Sequence, residues 1–305
     1  MKSPAEYGAV ALALMIAAGC GPQSTRLTVF ESADAVPWTG LDANDKLGVF
    51  HFAVVSDRTG GARAGVFGSA VSALNLMQPA FVVSVGDLVQ GYTDNRDTII
   101  AQWREFDSLI SVLDMPFFRV AGNHDIKTGE TDAYWKKHFG RPYYHFLYND
   151  VLFLCLSTTV ELDTAVLDDA QVAFAQRVLG EHSDARWTFV VLHHPLWQYD
   201  KESGWDRVRE ALGDRGFTVF AGHRHRFLRD QAGENELYVL ATTGGGWPKE
   251  GTEESAFDHI VWVTVGEHGP PTIASLLLDG IRDLERMKAV PTDRVSEGKG
   301  QEPPE

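Results

Sequence analysis

The chain has 305 residues, and 27 Lys and Arg stand against 42 Asp and Glu, a formal charge of −15. Neutralising nucleic-acid phosphates needs a basic face, so this balance argues against nucleic-acid binding. With 44% hydrophobic and 11% aromatic residues the chain is too apolar for disorder throughout, and two cysteines, Cys20 and Cys155, cannot make a disulfide framework.

Residues 1–19 read as an export signal: Lys2 near the start, an apolar run from Gly8 to Ala18, then small residues. The ending Ala17-Ala18-Gly19-Cys20 resembles a bacterial lipobox, with Ala17 where Leu is usual. That resemblance implies cleavage before Cys20, acylation of its thiol and a lipoprotein anchored in a bacterial cell envelope; an ordinary cleaved signal or an uncleaved anchor are the other readings. Residues 20–45 are expected to be a tether and 46–290 the folded domain. Residues 291–305 mix Pro, Gly, Glu and Lys with hardly any apolar residue, the composition of a disordered tail.

Within the domain, strand-like apolar runs alternate with helical patterns, as in an α/β fold. Strands are expected over Phe50–Ser56, Phe81–Val85 and Phe117–Val120, separated by helices over Ala64–Met77 and Thr98–Leu113. Tyr143–Tyr148 and Val151–Ser157 flank Asn149-Asp150 as a hairpin. A helix over Asp168–His182 follows, started by Asp168-Asp169, then a strand over Trp187–His193, a helix over Trp205–Leu212 and strands over Phe217–Phe220, Leu237–Thr242 and Ile260–Val265. Cys155 lies in an apolar run and reads as a small buried hydrophobe, and His51 as a sheet-face histidine.

Five strand ends in succession terminate in metal-ligand chemistry. They are Ser56-Asp57, Gly86-Asp87, Gly122-Asn123-His124-Asp125, His193-His194-Pro195 and Gly222-His223-Arg224-His225. In open α/β sheets ligands bind beyond the carboxyl ends of strands, so these loops should meet at one edge. Asp, Asn and His together suit Mn, Fe or Zn, and the absence of thiolates disfavours a structural zinc site.

These blocks resemble the calcineurin-like metallophosphoesterase family over about Phe50 to His225. The resemblance implies an α/β (α+β) fold of two facing mixed β-sheets flanked by helices, a four-layer sandwich. It implies two divalent or trivalent transition metals, one held by Asp57, Asp87 and His225, the other by Asp87, Asn123, His193 and His223. It also implies hydrolysis of a small phosphate ester, monoester or diester, by metal-activated water, with His124 protonating the leaving oxygen and Asp125 orienting His124.

One block departs from the pattern: Thr59 stands where the family has a metal-binding His, so the site of Asp57 and His225 is expected to be the weaker. Arg58 is either a phosphate contact or the partner of a surface acid. His194 either touches substrate or packs. Gly245 and Trp247, in the run Thr242–Trp247, line the substrate pocket, with Trp247 as a stacking platform, or form a plain turn. Two other functions stay open: a non-catalytic envelope protein that binds metal or phosphate, and a phosphoanhydride hydrolase.

Overall fold

The computed structural model describes residues 27–30, 35–41, 49–159, 165–199, 202–247, 255–278 and 280–281. The signal segment, Cys20 and residues 291–305 lie outside the described residues.

In chain order the elements are β1 (Leu27–Val29), β2 (Phe50–Val55), α1 (Val66–Met77), β3 (Val82–Ser84), α2 (Arg96–Ile110), β4 (Phe117–Phe118), α3 (Gly129–Phe139), β5 (Tyr144–Tyr148) and β6 (Val151–Cys155). There follow α4 (Asp169–Glu181), β7 (Trp187–Val191), α5 (Trp205–Leu212), β8 (Phe217–Ala221), β9 (Leu228–Ala232), β10 (Asn235–Val239), β11 (His259–Val265), β12 (Thr272–Leu277) and β13 (Gly280–Ile281). They form a seven-stranded sheet, β1-β5-β6-β7-β8-β10-β9, and a six-stranded sheet, β13-β12-β11-β2-β3-β4. Both sheets are mixed: β2, β3 and β4 run parallel, as do β6, β7, β8 and β10, while their remaining neighbours are antiparallel.

The two-residue period of each strand divides its side chains between two cores. Phe50, Phe52 and Val54 of β2 meet Phe153 of β6 and Phe189 of β7 between the sheets, whereas Ala53 and Val55 face the helix layer of α1 and α2. Leu152 and Leu154 of β6 turn the other way, towards α4 and α5. The inter-sheet layer is a run of rings, with Phe118 on Phe146 at 4.1 Å, Phe146 on Phe153 at 4.6 Å and Phe52 edge-on to Phe189 at 4.8 Å. Each such ring, fully buried, contributes about 1.5–3 kcal/mol relative to exposure. The result is the four-layer arrangement expected, and it points the carboxyl ends of the parallel strands of both sheets towards one another's loops.

Five elements differ from the sequence reading. Leu27–Val29, read as tether, pairs antiparallel with Phe146–Tyr148, and Trp38 is buried against Phe118 and Tyr144. A three-residue strand is too short to show periodicity, which is why it read as coil. Helix α3 went unread, although Thr128 caps it in a capping box and Trp135 and Phe139 pack on Trp103. Strands β9, β12 and β13 were also unread; β9 carries Arg, Asp and Gln and lacks an apolar run. Asp168 is the N-cap of α4 through Gln171 N, and Asn149 takes positive φ in the hairpin turn, both as expected. Cys155 is buried, with its thiol pushed up to about 12 by burial, and His51 bonds Thr264 across the sheet.

Candidate metal centre

The glycines in the five loops are steric requirements. A Cβ at Gly86 would lie 2.7 Å from Gly122 N and 2.8 Å from His193 Nδ1; one at Gly122 would lie 2.2 Å from Asp87 Oδ1, and one at Gly222 2.3 Å from Asp57 Oδ2. Each glycine therefore lets one ligand loop close onto another. Asp87, His223 and His225 take φ of 57°, 71° and 52°, a left-handed conformation that is uncommon outside glycine and that the packed loops enforce.

Asp57 and Asp87 are 0% and 2% exposed. Asp57 Oδ1 accepts from His223 N at 2.8 Å and Oδ2 from the Ser56 hydroxyl at 2.5 Å, while Asp87 Oδ1 accepts from His124 N at 2.9 Å. Asn123 donates through Nδ2 to Tyr92 OH at 2.8 Å, which leaves Oδ1 2.9 Å from both His193 Nε2 and His223 Nδ1. One donor atom each from Asp57, Asp87 and His193 lie within 4.8 Å of one another, and so do donors from His193, His194 and His223.

The hydrogen bonds of the two imidazoles nearest the carboxylates leave lone pairs turned inward. His193 Nδ1 lies 2.9 Å from the Val85 carbonyl, which only accepts, so Nδ1 carries the hydrogen and Nε2 of the neutral ring presents a lone pair. That lone pair faces two further acceptors, Asn123 Oδ1 and, at 3.3 Å, Asp87 Oδ1. His225 repeats the arrangement: Nδ1 bonds the Gly246 carbonyl, and Nε2 lies 3.4 Å from Asp57 Oδ1. Lone pairs converging in a buried site require a positive charge, as a proton on the ring or as a metal ion among the donors.

The titration of the site expresses the same demand. Burial opposes charge on His193, yet the Asp87 and Asp57 carboxylates push it up to about 9; His225 is raised by Asp57 in the same way. Burial would also raise Asp87 and Asp57, but the facing imidazoles hold both below the usual carboxylate range. His223 is lowered to about 3, and His194 well below its ordinary value, first by burial and then by neighbouring imidazoles, with Arg224 adding to both. Neutral imidazole is the form that ligates metal.

The structure brings together all six residues expected as ligands, and it revises the roles of several others. His124 Nδ1 donates to the Gln90 carbonyl at 2.7 Å, so Gln90 orients its ring. Asp125, expected to do so, accepts instead from Leu88 N, Val89 N and Gly122 N at 2.8–3.0 Å and ties two ligand loops together. Burial and the Asp87 charge raise it to about 7. Neighbouring residues on a tight turn point apart, and Asp125 N already closes that turn on Gly122 O. Free Nε2 of His124 faces Gly60, whose added Cβ would lie 3.4 Å from it and 2.9 Å from His225 Cε1.

Arg58 does not reach the centre. Its guanidinium bonds Leu88 O and Glu105 and passes over the rings of Phe67 and Phe106, which is the surface-acid alternative rather than the phosphate contact. Thr59 is buried and donates to Gln90 Oε1 at 2.7 Å. His194 is 6% exposed, bonds Thr158 Oγ1 at 2.7 Å and has its ring tilted against that of His223 at 4.1 Å, so it packs against a candidate ligand. Gly245 and Gly246 reach the centre by backbone, Gly245 N bonding Asp57 O and Gly246 O holding His225. Trp247 is 59% exposed beside Arg63, whose guanidinium lies 4.6 Å from its ring. Sequence reading missed Tyr92, whose ring is 4.4 Å from His124, and Arg63, which bonds Gly245 O and Asp258. Only the positive φ of 51° at Tyr92 marks it locally, and that is a structural observation.

The comparisons with known proteins agree with this geometry. The model of the calcineurin-like phosphoesterases matches residues 50–227, more than half of the chain. The chain therefore belongs to the calcineurin-like phosphoesterase family, a class of metal-dependent phosphoric ester hydrolases. A curated relative, serine/threonine-protein phosphatase CPPED1 of Bos taurus, is 29% identical over 186 residues, which are 52% of this chain and 57% of that protein. The match thus spans little more than half of that relative. Among solved structures, a dimetal phosphatase from Danio rerio shares the fold with a TM-score of 0.56 at 14% identity, covering 74% of this chain and 98% of that one. GAP50, the anchor in the inner membrane complex of Plasmodium, gives 0.58 at 15% identity, covering 80% and 87%.

Proposed function

We propose that this chain hydrolyses small phosphate esters. The observation that carries the reading is the buried convergence of His193 Nε2, Asn123 Oδ1 and Asp87 Oδ1, three lone-pair donors among which a metal ion would supply the positive charge, with the Nε2 of His124 alongside. Asp87, Asn123, His193 and His223 would hold one metal, and Asp57, Asp87 and His225 the other. When bound, the metals supply charge neutralisation for phosphoryl oxygens and a water of lowered pKa.

The chain's own part is proton handling and placement. His124 keeps Nδ1–H on the Gln90 carbonyl, so the proton it can transfer to a leaving oxygen is the one on Nε2. Asp125 fixes the two loops that carry Asp87 and Asn123, and Gly60 leaves open the space between His124 and His225. We further infer export and anchoring through Cys20, from the signal-like first 19 residues.

The test is His124→Ala. Turnover of an aryl phosphate should fall about 10²–10⁴-fold, with metal content by elemental analysis equal to that of the parent chain. Loss of metal would show that His124 serves the ligand set instead. Metal bound without hydrolysis of any ester by the parent chain would favour a binding protein.

A further inference from the structure

In a chain of charge −15 most guanidinium groups find an acid or, as Arg209 and Arg215 do, a backbone carbonyl. Arg58, Arg63, Arg119 and Arg186 each pair with a carboxylate. Arg224 has no carboxylate partner among the described residues, and its buried Nε makes no hydrogen bond.

Its position is nevertheless fixed. It lies between the ligands His223 and His225, both at positive φ, and its own N–H bonds Gly222 O at 2.8 Å. Its guanidinium carbon lies 5.3 Å from the ring centre of Tyr199. Tyr199 in turn sits in a braced segment, since the preceding Trp197 Nε1 and Gln198 Nε2 both donate to Asp230 Oδ2, at 2.7 and 2.9 Å. The Tyr199 ring is 6.5 Å from that of His194, which is 4.1 Å from that of His223. Arg224 thus leaves the backbone between His223 and His225 and lies against Tyr199, whose ring borders the His194–His223 pair.

We propose that Arg224 binds a second anionic group of the substrate, so that the preferred esters carry a further phosphate or carboxylate a few bonds from the scissile phosphoryl group. The proposal rests on the hydrolase reading above and adds the substrate class to it. A pre-positioned fork of donors suits an oxyanion, and leaving it unpaired is the arrangement expected of a recognition group. It also offsets, locally, the repulsion that the acidic surface exerts on a polyanionic substrate.

The experiment compares 3-hydroxypropyl phosphate with propane-1,3-diyl bisphosphate on the metal-loaded full chain and on Arg224→Gln and Arg224→Lys. The parent should favour the bisphosphate in kcat/KM by about tenfold, the effect of one charge-assisted contact. That ratio should fall to about one in Arg224→Gln and lie between in Arg224→Lys, which keeps charge but not the fork. An unchanged ratio, or an equal loss on both esters, would overturn the assignment. If the parent hydrolyses neither ester, the hydrolase reading fails, and calorimetric titration with the two compounds decides on Arg224 alone. Tenfold tighter bisphosphate binding that Arg224→Gln abolishes sustains it; equal binding overturns it.

Discussion

The two halves of the metal centre are built differently. On the Asn123 side three of the four donors are oriented by a neighbour outside the set: His193 by the Val85 carbonyl, Asn123 by Tyr92 OH and Asp87 by His124 N. On the Asp57 side, His225 is the only imidazole donor, and it is held by the Gly246 carbonyl in a loop of three glycines. The position that could supply another donor is Thr59, whose hydroxyl is spent on Gln90. Donor number and fixed orientation both favour the Asn123 side, so the two metals should differ in affinity.

The sharpest break of this comparison removes what both halves share. Asp87→Asn keeps the volume and tolerates the positive φ, but it takes away the carboxylate that faces His193 and lies among the donors of both sides. Both metals should be lost on dialysis, and hydrolysis should fall at least as far as in His124→Ala, about 10²-fold or more. Retention of one metal per chain would show that Asp87 serves one half only.

A gain should come from Thr59→His. An imidazole at this buried position, with the exposed Gln90 side chain displaced, adds a nitrogen donor to the Asp57 side. The weaker metal should bind about tenfold more tightly, within the range that changes around a metal site produce. Unchanged affinity in a competition titration would mean that Thr59 is not what distinguishes the halves.

The residues proposed as ligands drew attention in the chain because each follows a strand and several follow a glycine that close packing demands. Gly86, Gly122 and Gly222 precede Asp87, Asn123 and His223, and each abuts an atom of another ligand loop. The apolar runs showed an α/β chain, and the four-layer arrangement was implied by the family resemblance; the division of β2 and β6 between two cores is seen in the structure. Direction of polar side chains was not legible. Arg58 is adjacent to a ligand, yet its course is set by Phe67, Phe106 and Glu105, and Asp125 is adjacent to His124 but bonded to Leu88 and Val89. The partners that decide such cases are remote in sequence, 195 residues in the case of Arg63 and Asp258. Tyr92 had no period, motif or cap to announce it.

Arg63 offers the finest test of the difference between the halves, because it acts on one side through backbone alone. Its Nε bonds Gly245 O at 2.9 Å, its N–H bonds Gly244 O at 2.7 Å, and its guanidinium pairs with Asp258, which also accepts from Gly244 N. These bonds press the glycine loop against the centre, where Gly245 N meets Asp57 O and Gly246 O holds the His225 ring. Arg63→Ala should therefore loosen His225 and leave the His193 and Asn123 arrangement in place. A titration of metal into the variant should show the weaker site shifted by a few-fold to about tenfold and the tighter site unshifted. Equal weakening of both would mean that the halves are mechanically one unit; no weakening of either would mean that the strand end at Ala221, rather than the glycine loop, sets the direction of His225.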